Sequence, residues 1–469
     1  MTRTLLAALA GTFVLLGEAS AATYARQDLT IVVDDGAPIA ATLYLPDSAP
    51  REGGWPAIVL LHGLGADRTQ TNAIAETYGL AGQDFAVLTY DARGHGASGG
   101  LSSIAGPREV ADAGAIYTWL SERPEVAAER IGAWGISAGG ATILNSFLAG
   151  APWAAVFAAA TWTDLPSVLV PQGLVRPDLV GALVDSVPET RRDPSLAGVQ
   201  AAALAGNTEA VRTWAEARSS LAGLEAVTSP VFLAQGRRDP LFGLAQGSLA
   251  FQRLQGTKAL WVGLHGSSPS AFPAADTALL MGQVRAWYDC HLRGAACDPA
   301  RQAVFVAPER FTGQVVRTAA LPRTSTATFA LPGVATFAAR GKAVRQTRPL
   351  PRAIEVFGTP SVQVSAAASG GWARLVAVLT ARTRQGQEIV LATGGVPTRA
   401  GAQRLTIQLT SQATVVPRGA RLTLTLAASA VTQTPVGQPY LDLPMRPNAR
   451  VRVGTAVLRL PALRTPVTR

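Results

Sequence analysis

Cysteine and histidine are scarce in this sequence, which has two cysteines and four histidines among 469 residues. So few soft ligands argue against a metal centre built from cysteine and histidine, and we expect neither a metal nor another cofactor. Charged residues make up only 15% of the chain, whereas hydrophobic residues make up 48%. This composition excludes an intrinsically disordered chain, and the length predicts two domains.

Long apolar runs are confined to the amino terminus. Arg3 precedes the apolar residues 5–16, and Ala19-Ser20-Ala21 follows them. This order of charge, apolar run and small residues predicts a signal peptide, residues 1–21, that is cleaved after Ala21. We therefore expect an exported protein, periplasmic or secreted. The run is too short to span a bilayer and no later stretch is long enough, so we expect no transmembrane segment in the mature chain.

The two cysteines, Cys290 and Cys297, are seven residues apart. In an exported chain such a pair is expected to form a disulfide, because thiols are oxidised outside the cytoplasm. The sequence carries no signal for an oligomeric state.

Charge is unevenly distributed along the chain. The residues from Arg301 onward contain 22 Arg and Lys against four acids, a net charge of +18, so the first 300 residues carry −8. A basic half can indicate a nucleic acid or an anionic envelope surface as partner. Here the arginines are scattered over strand-like segments without interleaved aromatic residues. We therefore expect solvated faces that favour solubility, and no specific nucleic-acid binding.

Apolar runs alternate with helical patterns through the first 300 residues. The predicted strands are residues 29–33, 39–45, 57–61, 85–90, 131–134, 153–159, 231–234 and 259–264. The predicted helices that separate them are residues 71–80, 108–120, 141–148, 244–254 and 275–291. This alternation is typical of a parallel α/β sheet that is covered by helices on both faces.

Two regions depart from that alternation. Residues 161–229 contain only short helical segments, which we interpret as a cap inserted over a functional site. From Arg301 the pattern changes to strict period-two strands, such as 405–409 and 422–426, separated by turns. The sequence thus predicts an α/β catalytic domain over residues 22–300 and an all-β sandwich over 301–469.

The segment Gly135-Ile136-Ser137-Ala138-Gly139 carries the strongest functional signal. It joins an apolar strand to a helical segment, as a G-x-S-x-G nucleophile elbow does. The glycines relieve crowding around a serine that projects from a sharp turn. We expect Ser137 to be a nucleophile and the Ala138 N–H, at the start of the helix, to stabilise an oxyanion. The competing interpretation is an ordinary glycine-rich turn with a bystander serine.

A nucleophilic serine of this type needs a base and an acid. In α/β sheets with a nucleophile elbow, the acid follows the serine along the chain and the histidine follows the acid. His62 and His95 precede Ser137, and His291 lies at a helix end, which leaves His265 at the end of a predicted strand as the base. Asp239 follows the preceding strand and is the expected acid. Because Pro240 follows it, Asp239 could instead cap a helix, and its two oxygens could fill both roles.

A second oxyanion donor is expected from the loop after the predicted strand 57–61. That loop reads His62-Gly63-Leu64-Gly65, and we assign the donor to the Leu64 N–H. Asp91 and Arg93, in an Asp-x-Arg-Gly loop, are expected to hold that loop through charge-assisted hydrogen bonds.

Together these motifs resemble the α/β-hydrolases, and within them the Xaa-Pro dipeptidyl-peptidase and cocaine-esterase-like hydrolases. The resemblance rests on the Asp91–Gly94 loop with Ser98 and Gly100, the Ser137 elbow, residues 287–294 and the basic β region. It implies an α/β-hydrolase sheet with a helical cap, followed by a jelly-roll-like sandwich domain. That family often has a tyrosine where this chain has Leu64, and an aromatic residue where it has Ala138.

We therefore expect an exported serine hydrolase that cleaves a small-molecule ester or short peptide through an acyl-enzyme. A dipeptidyl-peptidase must hold the substrate ammonium with carboxylates. In the cap only Asp164, directly after a predicted strand, is placed to contact substrate, which favours an esterase. The alternatives are an Xaa-Pro dipeptidyl-peptidase-like enzyme and a non-catalytic protein that binds the envelope or a polymer.

Overall fold

The computed structural model of the protein describes residues 24–50, 52–82, 84–266, 273–298, 300–309, 313–429 and 445–465. The expected signal peptide, residues 1–21, lies outside these ranges and stays a prediction.

Ten strands of the described chain form a mixed sheet in the order β1-β2-β4-β3-β5-β6-β7-β8-β9-β10. Neighbours from β4 to β9 run parallel, and the outer pairs are antiparallel. The central strands are apolar and buried along their whole length, as sheets covered on both faces require. The strands are β1 (Tyr24–Val32), β2 (Pro38–Pro46), β3 (Trp55–Leu61), β4 (Ala86–Tyr90), β5 (Val126–Ile136), β6 (Val156–Ala159), β7 (Val231–Gly236), β8 (Lys258–Gly263), β9 (Gln302–Val306) and β10 (Val316–Thr318).

Helices cover both faces of this sheet, and four of them form the expected cap between β6 and β7. The helices are α1 (Arg68–Thr77), α2 (Pro107–Ser121), α3 (Ala138–Leu148), the cap helices α4 (Leu165–Leu169), α5 (Pro177–Asp185), α6 (Pro194–Leu204) and α7 (Thr208–Glu216), and then α8 (Ala245–Arg253) and α9 (Ala274–Arg293). Apolar side chains of the cap pack on Leu64 and Ala138, so the cap core lies against the elbow. Within the described ranges, every helix is too short or too polar to cross a membrane.

The remaining strands form the expected sandwich of two antiparallel sheets. One sheet has the order β18-β15-β21-β14-β19, with β11 and β12 also paired to β21, and the other has the order β13-β20-β16-β17. Their inward side chains form one apolar core. The strands are β11 (Thr324–Leu331), β12 (Ala335–Ala338), β13 (Lys342–Gln346), β14 (Ile354–Gly358), β15 (Ser361–Ser369), β16 (Arg374–Arg382), β17 (Glu388–Pro397), β18 (Gly401–Gln408), β19 (Gln412–Val416), β20 (Arg421–Ala427) and β21 (Arg450–Leu463).

The boundary between the two units lies later than the sequence predicts. We placed it at Arg301, where the composition becomes basic and helical patterns end. In the structure β9 pairs with β8 and β10 pairs with β9, so both strands extend the first sheet. The sandwich strands begin at Thr324. Local composition could not show this, because the membership of a short strand depends on its pairing partner.

The sandwich holds the loop that follows β7. The Arg237 guanidinium donates to the Glu355 carboxylate at 2.7 Å, and both side chains are almost completely buried. The Arg237 carbonyl accepts the Ala413 N–H at 2.6 Å, and the Leu244 N–H donates to the Ser411 carbonyl at 3.1 Å. The two units thus share a buried ion pair and backbone hydrogen bonds on either side of Asp239.

We predict that Arg237→Ala lowers the free energy of unfolding by about 3–5 kcal/mol, because the substitution removes the guanidinium that donates to the buried Glu355 carboxylate. Arg238→Ala is the matched control, since Arg238 pairs with Glu309 through a side chain that is 44% exposed. Loss of this exposed ion pair should lower the free energy of unfolding by less than about 1 kcal/mol. Urea unfolding measures the free energy of unfolding of both variants. Equal losses in the two variants would contradict the importance of the buried pair.

Candidate active site

Ser137 occupies a strained turn between β5 and α3. Its φ is 54° and its ψ is −121°, a backbone conformation that non-glycine residues rarely adopt. The Ser137 N–H donates to the Ala159 carbonyl at 2.9 Å, and the Thr161 hydroxyl donates to the Ser137 carbonyl at 2.7 Å. Surrounding hydrogen bonds therefore hold the strained residue in place, as is common at functional sites.

The elbow glycines allow α3 to approach the strands closely. A Cβ atom at Gly139 would lie 2.4 Å from the Leu61 carbonyl oxygen, and one at Gly135 would lie 2.6 Å from the Gly139 carbonyl oxygen. A Cβ at Gly63 would lie 3.4 Å from the Ser137 Cβ. Because these glycines lack side chains, the loop after β3 lies directly beside the serine.

The structure brings the two residues expected to supply oxyanion donors to one pocket. Leu64 and Ala138 both line a small, mostly apolar pocket beside the elbow. Ala138 is the first residue of α3, where backbone N–H groups have no partner within the helix. The positive end of the helix dipole favours negative charge at the same position. The assignment of the Leu64 and Ala138 N–H groups as oxyanion donors stays a prediction.

His265 lies just beyond the end of β8 and is completely buried. Its Nδ1 atom is 3.7 Å from a carboxylate oxygen of Asp276, which is also completely buried. The same oxygen of Asp276 accepts the Leu264 N–H at 2.8 Å. Sequence reasoning missed Asp276. Its position in the first turn of the helix after the histidine loop was the available signal.

Asp239 lies in the loop after β7 and reaches the same histidine loop. Its Oδ1 atom accepts the N–H groups of Leu241 and Phe242, each at 2.9 Å, within the loop. Asp239 does not cap the next helix, because α8 begins at Ala245 and Leu244 is its N-cap residue. Its Oδ2 atom lies against Gly266, where a Cβ atom would be 2.8 Å away. Two carboxylates, Asp239 and Asp276, therefore flank the segment that contains His265. The assignment of Asp239 as the catalytic acid stays a prediction.

Asp164 is engaged at the start of α4. Its Oδ1 atom accepts the Ser167 N–H at 3.4 Å, as a helix cap does. Its own backbone N–H and carbonyl are hydrogen bonded to the Gln246 side chain. These contacts explain an acid at this position without a substrate, so a binding role for Asp164 stays a prediction.

His62 holds the loop after β3, which contains Leu64. Its Nδ1 atom lies 2.8 Å from the Gly63 carbonyl and its Nε2 atom accepts the Ala92 N–H at 3.0 Å, which fixes the tautomer. Burial, together with the neighbouring His95, lowers the pKa of His62 to about 4, so the ring is neutral at neutral pH.

The Asp-x-Arg-Gly loop is held as expected. Asp91 accepts hydrogen bonds from the Arg68 and Ala97 N–H groups. Arg93 donates to Asp112 through two nitrogens at 2.6 Å each, and also to Asp35. Both side chains are buried, so these charge-assisted contacts fix the loop beside β4.

The expected disulfide between Cys290 and Cys297 is confirmed. Together with His291 these cysteines are the one group in the described ranges whose ligand atoms are close enough to share a metal ion. The disulfide bond occupies both sulfur atoms. The His291 ring packs edge-on against the Trp287 ring, with 4.3 Å between the ring centroids. This group therefore offers no free thiolate to a metal ion.

The comparisons with known proteins agree with this geometry. The model of the X-Pro dipeptidyl-peptidase (S15) family matches residues 35–266. A CocE/NonD family hydrolase from Staphylococcus aureus superposes with a TM-score of 0.71 at 12% identity, with 94% of each chain covered. No curated protein matches the chain in sequence.

Two further solved structures are similar over almost the whole chain. An aminopeptidase from the marine sediment archaeon Thaumarchaeota archaeon gives a TM-score of 0.68 at 14% identity, covering 96% of this chain and 98% of its own. An α-amino acid ester hydrolase gives a TM-score of 0.64 at 12% identity, covering 96% of this chain and 98% of its own. These likenesses confirm the expected sheet, with the β sandwich after it.

We predict that Gly139→Ala lowers the free energy of unfolding by about 1–3 kcal/mol, the usual cost of overpacking a close contact. The added methyl group would displace α3 from the carbonyls at the end of β3. The matched control is Gly114→Ala in α2, where a Cβ atom would meet nothing within 4 Å. Gly114→Ala should leave the free energy of unfolding unchanged or raise it by up to about 1 kcal/mol. Urea unfolding measures both, and a tolerated Gly139→Ala would contradict the close approach.

Proposed function

We propose that this chain is an α/β-hydrolase of the Xaa-Pro dipeptidyl-peptidase and cocaine-esterase-like type, which the match of residues 35–266 to the family model supports. We propose further that it cleaves a carboxylic ester or amide through Ser137. The observation that carries this proposal is the strained conformation of Ser137 beside a cavity lined by Leu64 and Ala138. A strained serine next to two backbone donors is the arrangement that acyl transfer requires.

The proposed reaction has two halves. His265 takes the proton of the Ser137 hydroxyl, and the Ser137 Oγ atom attacks the substrate carbonyl while the Leu64 and Ala138 N–H groups stabilise the oxyanion. His265 then returns the proton to the leaving group, and an acyl-enzyme remains. Water, activated by His265, releases the acyl group and restores the serine.

Two carboxylates support His265 in this proposal. Asp239 is the acid of the triad, through Oδ2, since Oδ1 accepts the Leu241 and Phe242 N–H groups. Asp276 is a positioning residue. It holds the Leu264 N–H, and its negative charge 3.7 Å from Nδ1 stabilises the imidazolium that forms during the reaction.

We predict that Ser137→Ala and His265→Ala each lower kcat by roughly 10⁶, and that the double variant is no worse, because the two residues act as a unit. Asp239→Asn should cost roughly 10⁴. Asp276→Asn should cost about 10- to 100-fold, the loss of one interaction with a charged group. Steady-state kinetics on folded variants measures these changes.

His291→Ala is the matched histidine control and should keep near wild-type kcat. An inactive His291→Ala beside an active His265→Ala, both folded, would exclude the assigned base. A larger loss in Asp276→Asn than in Asp239→Asn would make Asp276 the acid of the triad.

Uncharged acyl groups are the proposed substrates. An aminodipeptidase must hold a substrate ammonium at a fixed distance from the serine, whereas the Asp164 carboxylate is engaged in capping α4. We predict that short p-nitrophenyl esters are hydrolysed with a higher kcat/KM than Ala-Pro-p-nitroanilide, and that Asp164→Asn changes ester rates less than about twofold. Efficient cleavage of the dipeptide anilide that is lost in Asp164→Asn would identify a dipeptidyl-peptidase instead.

Export is also part of the proposal, supported by the amino-terminal sequence and the disulfide. We predict that protein recovered from the native host begins at Ala22. Intact-mass measurement with and without reductant should show the loss of residues 1–21 and a shift of about two daltons for the disulfide. A cytoplasmic chain that retains residues 1–21 would contradict this part of the proposal.

A further inference from the structure

The loop that carries Asp239 has no helix or strand of its own. β7 ends at Gly236 and α8 begins at Ala245, so residues 237–244 connect the two. Connecting segments are the more mobile parts of a fold unless hydrogen bonds fix them. The Oδ1 atom of Asp239 accepts two N–H groups from within this loop, which folds the loop on itself. The direction of the Oδ2 atom therefore depends on what anchors the ends of the loop.

The sandwich anchors the first end of the loop through Arg237. The Arg237 carbonyl accepts the Ala413 N–H at 2.6 Å. Its guanidinium donates to the Ala307 carbonyl and to the Glu355 carboxylate, at 2.7 Å each. The side chains of Arg237 and Glu355 are each 1% exposed, so water competes little for these contacts. The residue two positions before Asp239 is thus held through both its backbone and its side chain.

The sandwich also anchors the second end of the loop. The Leu244 N–H donates to the Ser411 carbonyl at 3.1 Å. Gly243 packs against the same carbonyl, because a Cβ atom at Gly243 would lie 2.7 Å from the Ser411 oxygen and 3.1 Å from a methyl carbon of Thr410. A side chain at position 243 would therefore push the loop away from the sandwich. Asp239 lies between the two anchors.

The edge of the sandwich supplies these backbone contacts. In the described chain β19 is the last strand of its sheet and pairs with β14. The outer edge of such a strand presents N–H and C=O groups that its own sheet does not use. The Ala413 N–H donates to the Arg237 carbonyl, and the Val415 N–H donates to the Glu309 carboxylate at 2.6 Å. The catalytic unit thus covers this edge, and the loop of Asp239 is part of the cover.

We propose that the sandwich positions the catalytic acid, because Glu355 and residues 410–413 hold its loop in the orientation that supports His265. This inference rests on the proposed function and adds positioning residues to it, since neither Glu355 nor Gly243 is assigned a contact with substrate. A catalytic group that is misplaced by about 1 Å can cost on the order of 100-fold in rate. Weaker anchors should therefore lower kcat and change KM little.

The first test is Glu355→Gln, which keeps the shape of the side chain and removes its charge. We expect kcat for p-nitrophenyl butanoate to fall by about 10- to 100-fold, with KM changed by less than about threefold. The matched control is Glu388→Gln at an exposed position of β17 in the same sandwich, which should keep wild-type kinetics. Near-ultraviolet circular dichroism establishes that the compared variants are folded.

The second test, Gly243→Ala, disturbs the other anchor. The added methyl group would displace the loop from the Ser411 carbonyl, and we expect the same loss in kcat as for Glu355→Gln. Its matched control is Gly198→Ala in α6, where a Cβ atom would meet nothing within 4 Å. If Glu355→Gln does not fold, Gly243→Ala decides the question alone. Folded anchor variants with wild-type kcat would overturn the inference.

A double-mutant cycle separates positioning from a general loss of structure. In an Asp239→Asn background each anchor substitution should lower kcat by less than about twofold, because the carboxylate that it positions is already absent. A substitution that acts elsewhere would multiply the loss of Asp239→Asn. Equal losses in the two backgrounds would therefore overturn the inference.

The pH profile supplies a readout that stability does not move. A carboxylate beside a histidine favours the protonated ring and raises its pKa. If the anchor variants displace Asp239, the acidic limb of the kcat/KM profile should shift to lower pH, by about half a unit or more. Asp276, the other carboxylate beside His265, is untouched by either substitution, so its effect remains in every variant. An unchanged limb in both variants would contradict the displacement.

Failure of this inference differs from failure of the proposed function. If Asp239→Asn is strongly impaired while both anchor variants keep wild-type kcat, only the positioning role of the sandwich fails. If Asp239→Asn is as active as the wild type, the assignment of the acid fails, and this inference fails with it. If the wild-type protein hydrolyses no ester and an alkyl fluorophosphonate does not label Ser137, the serine-hydrolase proposal fails as well.

Discussion

The candidate site depends on the close approach of α3 to the end of β3. The Cα of Gly139 lies so near the Leu61 and His62 carbonyls that no side chain fits between them. The chain turns sharply at Ser137, where φ is positive. Leu64 and Ala138, whose N–H groups we propose as oxyanion donors, line one cavity beside this turn. The close approach thus brings the proposed nucleophile and both proposed donors near one another.

The surrounding structure holds the strain that this geometry creates. Thr161 and Ala159 bind the backbone of Ser137, and Glu109 and Arg218 bind the strained loop of residues 102–106 from two sides. The sandwich contributes at a third place, because its residues 411–413 and Glu355 hold the loop that contains Asp239. This arrangement gives the carboxyl-terminal unit a physical role in the site that does not depend on its charge.

Much of the fold follows from local patterns in the sequence. Continuous apolar runs identified the central strands, and period-two alternation identified the sandwich strands. The glycines of the elbow and the order of the chain selected Ser137 and His265. These features are local because hydrophobic periodicity and backbone sterics act within a few residues. The assignment of β9 and β10 to the first sheet needed long-range pairing and was missed.

The parts of the site that the sequence did not reveal depend on packing. Asp276 is one of several acids in the first turn of a helix. Its position after the histidine loop was a weak signal, and its burial beside His265 distinguishes it in the structure. The positive φ values of Ile104 and Ala105 have no signature in residue type, since neither residue favours them.

The central claim is that Ser137 is an activated nucleophile, and covalent labelling tests it most directly. The protein would be incubated with an alkyl fluorophosphonate, digested and mapped by mass spectrometry, with Ser137→Ala and His265→Ala in parallel. The account predicts one phosphonate adduct, on Ser137, that is absent from Ser137→Ala and formed far more slowly in His265→Ala. A folded wild-type protein that stays unlabelled, or that is labelled at another serine, would contradict it.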